Sequence, residues 1–154
     1  MTRKEWKIQA TRRLAHTDAP ALTAQLLLCH VLGIDRVALI AHSEEDVSGE
    51  AVARLEALLE RRSSGEPLAY ILGVREFYGR DFAVDAHTLI PRPETEHLIE
   101  TALEFFDRRG AAESSLRFID LGTGSGCIAV TLAAERPSWR GCLLGRFRSF
   151  CQRP

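Results

Sequence analysis

Asp120-Leu121-Gly122-Thr123-Gly124-Ser125-Gly126 is the stretch of this 154-residue chain whose residue types and spacing can do chemistry. Glycines at alternate positions allow unusual backbone angles and let a ligand approach the main chain closely. The run Leu116-Arg117-Phe118-Ile119-Asp120-Leu121 before the loop reads as a short buried strand. Residues Ile128 to Glu135 after it read as a helix stopped by Pro137. Such a loop delivers its ligand to exposed N–H groups at a helix N-terminus. Two ligand classes fit. A dinucleotide site prefers G-x-G-x-x-G, which cradles a pyrophosphate. Here the spacing is G-x-G-x-G, and Asp120 stands just before it. A carboxylate repels a pyrophosphate but suits S-adenosylmethionine, which carries a sulfonium and an ammonium group. The cofactor-binding candidates are therefore Asp120, Gly122, Thr123, Gly124, Ser125 and Gly126. A tight strand-to-helix turn without a ligand is the plainer alternative.

The elements that must position this loop are legible around it. Strand, glycine loop and helix form the opening unit of a parallel α/β sheet. Upstream, Pro93 suits the first turn of a helix, and Glu94 and Glu96 favour its positive end. Leu98, Ile99, Ala102, Phe105 and Phe106 give that helix a broad apolar face, and Gly110 closes it. Residues 66–90 mix β-branched and aromatic residues with glycine. Gly79-Arg80-Asp81 falls between two such runs, so a β-hairpin linker is predicted there, either a plain connector or a lid.

Residues 1–65 read as a small helical bundle. Trp6, Ala10 and Leu14 share one face of a first helix. Asp18 and Pro20 start a second, running through Leu22, Leu26, Leu27 and Val31 to Gly33. A short turn follows at 37–41. Ser48 caps a further helix with a stripe at Val52, Leu55, Leu58 and Leu59, ended by Gly65.

Composition narrows the classes. Hydrophobic residues make up 45% and charged residues 27%, the balance of a globular protein rather than a disordered or collagen-like one. Twenty basic against 21 acidic residues make no electrostatic case for nucleic acid or an anionic membrane. No apolar run is long enough to span a bilayer, and the N-terminus lacks the apolar core of a secretory signal. Cys29, Cys127, Cys142 and Cys151 are scattered, with no metal-ligand spacing, so no metal is expected and a cytoplasmic chain with reduced thiols is.

Three ordered motifs carry a family resemblance: Gly65-Glu66-Pro67-Leu68-Ala69-Tyr70-Ile71-Leu72-Gly73 followed by Arg75-Glu76-Phe77-Tyr78; Leu89-Ile90-Pro91-Arg92-Pro93-Glu94-Thr95-Glu96; and the segment Phe118 to Gly126. Together they resemble the HemK/PrmC-type glutamine-N5 methyltransferases of peptide-chain release factors. The resemblance implies an N-terminal helical bundle (1–65) that assists substrate recognition, a β-hairpin linker (66–90), and the opening part of a Rossmann-like class I methyltransferase domain (91–139). It further implies methyl transfer from S-adenosylmethionine to the glutamine side-chain amide of a release factor's Gly-Gly-Gln motif. Gly122 to Gly126 would wrap the methionine part of the cofactor, Asp120 would hold its amino group, and Pro91 to Glu96 would lie over the pocket.

The chain also departs from that family. The family's second strand should end in an acid that holds the cofactor ribose, and a later strand should end in Asn-Pro-Pro-Tyr. This chain contains no asparagine. Without that motif there is no amide-gripping catalytic residue, and the chain alone is expected to be inactive. A non-catalytic module that binds a release factor or another protein is the alternative. Residues 140–154 carry Arg140, Arg146, Arg148 and Arg153 and no acid, whereas residues 1–139 hold 16 bases against 21 acids. A frame-shifted ending explains this switch better than an arginine-tailed nucleic-acid binder. On this reading β-pairing partners are missing, residues 111–154 are poorly ordered, and the strand edge near Phe118 and Ile119 stays open. Reading the gene in other frames beyond the Trp139 codon separates the two explanations.

Overall fold

The computed structural model describes residues 1–110 and 115–145, which fall into two compact units, residues 1–72 and residues 73 onward. The first unit begins with α1 (Arg3–Arg13), whose N-terminus is held by a reciprocal cap. The Thr2 hydroxyl accepts from the Glu5 N–H at 3.2 Å, and the Glu5 carboxylate accepts from the Thr2 N–H at 2.8 Å. α2 (Pro20–Leu32), α3 (Arg36–Ala41) and α4 (Gly49–Ser63) follow. The expected face of α1 is the buried one: Trp6, Ala10 and Leu14 join Leu27, Leu28, Leu55 and Leu59 in one core. Trp6 is a large ring with one polar atom, and its indole N–H donates to Glu56 at 2.9 Å. Ser48 caps α4 as predicted, accepting from the Ala51 N–H.

Two expectations for this unit need correction. α2 starts at Pro20 and ends at Gly33 as expected, with Ala19 at its N-cap in the left-handed region, but its buried residues are Thr23, Ala24, Gln25, Leu27, Leu28 and Val31, so that Leu22 faces solvent. The helical unit also does not stop at Gly65. Leu68–Leu72 forms α5, with the Pro67 carbonyl accepting from the N–H groups of Tyr70 and Ile71. Ile71 is buried in the helical core, and Leu68 and Leu72 pack against it. The β-branched and aromatic content of 68–72 suggested strand, but burial of one helical face outweighs that local preference.

The second unit opens with a hairpin, β1 (Val74–Phe77) and β2 (Arg80–Ala83), paired antiparallel with Phe77 opposite Arg80. Its two-residue turn is Tyr78-Gly79, both at positive φ, as the right-handed twist of a tight hairpin requires. Phe77 and Phe82 meet edge to face and are buried with Ile99, Leu103, Cys127, Leu132 and Trp139. The hairpin is thus part of this unit's core. Arg80 reinforces it, pairing with Glu135 at 2.8 Å. A single turn of 3-10 helix at Pro93–Thr95 leads into α6 (Glu96–Asp107), whose buried face is Ile99 and Leu103, narrower than predicted, with Leu98 and Phe105 exposed.

β3 (Arg117–Leu121), α7 (Cys127–Glu135) and β4 (Arg140–Leu144) complete the described fold. β4 runs parallel to β3, with Arg117 opposite Arg140 and Leu121 opposite Leu144. This corrects the expectation that everything from residue 111 would be poorly ordered and that β3 would find no partner. The stretch from Arg140 supplies that partner. Its alternate residues include Gly141, over which the Phe118 ring lies so closely that a Cβ there would sit 2.5 Å from the ring. Residues 111–114 and 146–154 lie outside the described residues, so most of the predicted arginine-rich tail is not among them.

Candidate cofactor-binding site

The predicted site residues come together at the C-terminal end of β3. Gly122, Gly124 and Gly126 all have positive φ, at 75°, 53° and 79°. A side chain at any of them would force a left-handed conformation that L-residues avoid, which explains the alternate spacing. Gly126 serves as the N-cap of α7, so the loop runs directly into that helix's N-terminus. Thr123 is buried, and its hydroxyl donates to an Asp120 carboxylate oxygen at 2.8 Å. The Ser125 hydroxyl, also buried, accepts from the Cys127 N–H at 3.4 Å.

The loop's own N–H groups divide into two sets. Those of Gly122 and Thr123 both donate to the Leu144 carbonyl, at 2.7 and 3.4 Å, and that of Gly126 donates to the Thr123 carbonyl. Those of Gly124 and Ser125 make no hydrogen bond among the described residues. Two free donors therefore stand close in sequence to a carboxylate that its neighbour holds in place. That pairing suits an amino-acid zwitterion, whose carboxylate needs donors and whose ammonium needs an acid. The donor set fits the methionine end of S-adenosylmethionine.

The ribose end fits less well. β4 is the second parallel strand, the one whose end should carry an acid, and it ends in Leu143-Leu144-Gly145. No carboxylate stands there to accept from ribose hydroxyls. Instead the backbone of β4 packs tightly on the loop: a Cβ on Gly145 would lie 3.2 Å from the Thr123 nitrogen. This contribution of Leu144 and Gly145 was not foreseen, because a backbone carbonyl leaves no mark in residue types. The glycine at 145 was the only available signal.

Cys127 lies buried beside the loop, and burial pushes its thiol above the ordinary range, only partly opposed by the hydrogen bond with Ser125. It is a packing residue rather than a nucleophile. Arg92 and Glu94 are exposed, on the approach to α6. Among the described residues no group of three or more His, Cys, Asp and Glu side chains could hold a metal ion, and no helix is long and apolar enough to cross a membrane.

A strand, a loop of positive-φ glycines, a helix and a parallel return strand define the opening βαβ unit of a Rossmann-like, class I methyltransferase fold. Comparison with known proteins gives the same class. Residues 5–73 match the model of the PrmC N-terminal domain. The chain is 54% identical over 130 residues to a release factor glutamine methyltransferase of Nitratidesulfovibrio vulgaris, covering 84% of this chain and 42% of that protein. It is 46% identical over 145 residues to the enzyme of that name from Burkholderia pseudomallei, covering 94% and 50% respectively, a match that takes in part of the stretch beyond Trp139. With that of Escherichia coli it shares 42% over 137 residues, 89% of this chain and 48% of the relative. The chain belongs to the release factor glutamine methyltransferase family, and it spans about half the length of the curated relatives it matches.

Proposed function

We propose that this chain is the substrate-docking and cofactor-facing half of an S-adenosylmethionine-dependent enzyme that methylates the glutamine side-chain amide in the Gly-Gly-Gln motif of peptide-chain release factors. The observation that carries the cofactor part is the loop itself, with three glycines at positive φ, Asp120 held by Thr123, and free N–H groups at Gly124 and Ser125. When bound, the cofactor supplies a methyl group on a cationic sulfur. Asp120 holds the ammonium group, the Gly124 and Ser125 N–H groups hold the carboxylate, and α7 adds the positive end of its dipole. The helical unit, residues 1–72, docks the release factor. Its setting is the cytoplasm, where translation termination takes place.

An amide nitrogen is a poor nucleophile because its lone pair is delocalised into the carbonyl. Transfer therefore needs groups that grip and orient the amide. The chain has no asparagine to do this. We therefore expect binding without turnover. In calorimetric titration, S-adenosylhomocysteine should bind the full chain weakly, and Asp120→Asn should abolish the heat. Labelled S-adenosylmethionine should transfer no methyl group to a purified release factor. Absence of any cofactor binding would overturn the cofactor reading, and measurable transfer would overturn the inactivity. The second reading, a non-catalytic module binding a release factor, is favoured by the self-contained core of the helical unit. It predicts capture of the release factor by the Asp120→Asn chain.

A further inference from the structure

The glycine loop and the end of β4 make different offers to one ligand. At the loop, the N–H groups of Gly124 and Ser125 have no partner among the described residues, and the Thr123 hydroxyl fixes the Asp120 carboxylate at 2.8 Å. Two donors and one acid match an α-carboxylate and an α-ammonium, both halves of an amino-acid zwitterion. At β4 the chemistry changes. Leu143 stands opposite Asp120 in the parallel register, so alternation puts it on the same face of the sheet. It is 39% exposed and offers apolar surface with no side-chain acceptor. Residues 145–154 include no Asp or Glu.

A nucleoside joined to the amino acid brings two ribose hydroxyls, which give up water on binding and need acceptors in return. A carboxylate that accepts from both makes strong, charge-assisted bonds, and a site built that way rejects a ligand without the hydroxyls by about a hundredfold or more. The first position past β4 is Gly145, and the packing there leaves little room for an acid. A Cβ on Gly145 would lie 3.2 Å from the Thr123 nitrogen. The same close approach lets the Leu144 carbonyl accept from the Gly122 N–H at 2.7 Å. The end of β4 therefore serves the loop rather than a ribose.

We propose that this chain selects its ligand by the α-amino-acid end alone. The site takes α-amino acids with a sulfur-linked, apolar side chain, and a nucleoside on that sulfur adds no affinity. Asp120 holds the ammonium, Gly124 and Ser125 hold the carboxylate, and Leu143 gives the side chain an apolar neighbour. Such selectivity rests on the cofactor reading above, since the same loop holds the methionine end in both, and it names the part of the cofactor that goes unread.

The test is a nuclear magnetic resonance titration of the isotope-labelled full chain, read at the backbone amides of Gly124 and Ser125. S-methyl-L-methionine keeps the sulfonium and the amino acid but has no nucleoside. It and S-adenosylmethionine should shift these signals with dissociation constants within about threefold of each other. 5′-Methylthioadenosine, which keeps the nucleoside and has no amino acid, should shift neither signal. Asp120→Asn should weaken both amino acids by the same factor. If S-adenosylmethionine bound more than about tenfold tighter than S-methyl-L-methionine, or if 5′-methylthioadenosine shifted the signals, the proposal would be overturned and the cofactor reading would stand. Binding of S-methyl-L-methionine without S-adenosylmethionine would overturn the cofactor reading instead. No shift with any of these ligands would overturn both.

Discussion

At the scale of single residues, the Asp120–Thr123 pair decides what the loop can hold. A carboxylate at the end of a strand is free to rotate, and the buried Thr123 hydroxyl fixes it at 2.8 Å. Thr123→Val keeps the shape and removes the donor, so cofactor affinity should fall about five- to tenfold with an unchanged circular dichroism spectrum. Equal affinity in the variant would show that Asp120 needs no such support. Cys127 gives a pH-dependent prediction. Burial raises its pKa, so the folded chain holds the thiol proton more tightly than the unfolded chain does. Its contribution to stability is therefore complete in neutral solution and is lost as pH climbs above about 8.5, where unfolded thiols ionise. Iodoacetamide at pH 8 should label the exposed Cys142 well before Cys127, with the gap closing as pH rises. Equal labelling of the two at pH 8 would refute this.

Among elements, β4 carries the most consequence. It turns a lone strand into a parallel pair, and its Leu144 carbonyl ties down the first two N–H groups of the loop. Its place depends on Gly141, because Phe118 fills the space above that backbone. Gly141→Val puts a branched side chain into the ring and should cost about 1–3 kcal/mol in urea denaturation of the full chain. Phe118→Ala in the same chain should recover part of the loss, as coupled neighbours do. If the valine variant were as stable as the parent, β4 would not be held in this register. The hairpin β1–β2 makes the complementary point: through Phe77 and Phe82 it belongs to the core that supports the loop.

For the whole molecule, the two-stranded sheet leaves apolar surface in solvent. Ile119 is 63% and Leu121 76% exposed, with Leu144 beside them on the same face of the partner strand. A parallel sheet ordinarily has both faces covered, so this surface favours association. The full chain should show a mass that rises with concentration in light scattering, and Ile119→Lys with Leu121→Lys should return it to a monomer. A monomer at every concentration would refute that.

The glycine spacing, the acid before it, the Ser48 cap and the apolar faces of α1 and α4 were legible from residue types alone. Each is a local demand, for a positive φ, an N–H acceptor or a repeat of 3.6. The reach of the helical unit to Leu72 was not legible, because α5 forms only where Ile71 finds a core to enter. The partner of β3 was hidden too. Arg140-Gly141-Cys142-Leu143-Leu144 has no alternation to announce a strand, and its pairing is made by backbone groups that every residue shares. The sequence by itself determined the loop, through the positive φ its three glycines allow. Only the tertiary structure decided which backbone carbonyl would hold that loop, because that depends on residues far apart in the chain meeting in space.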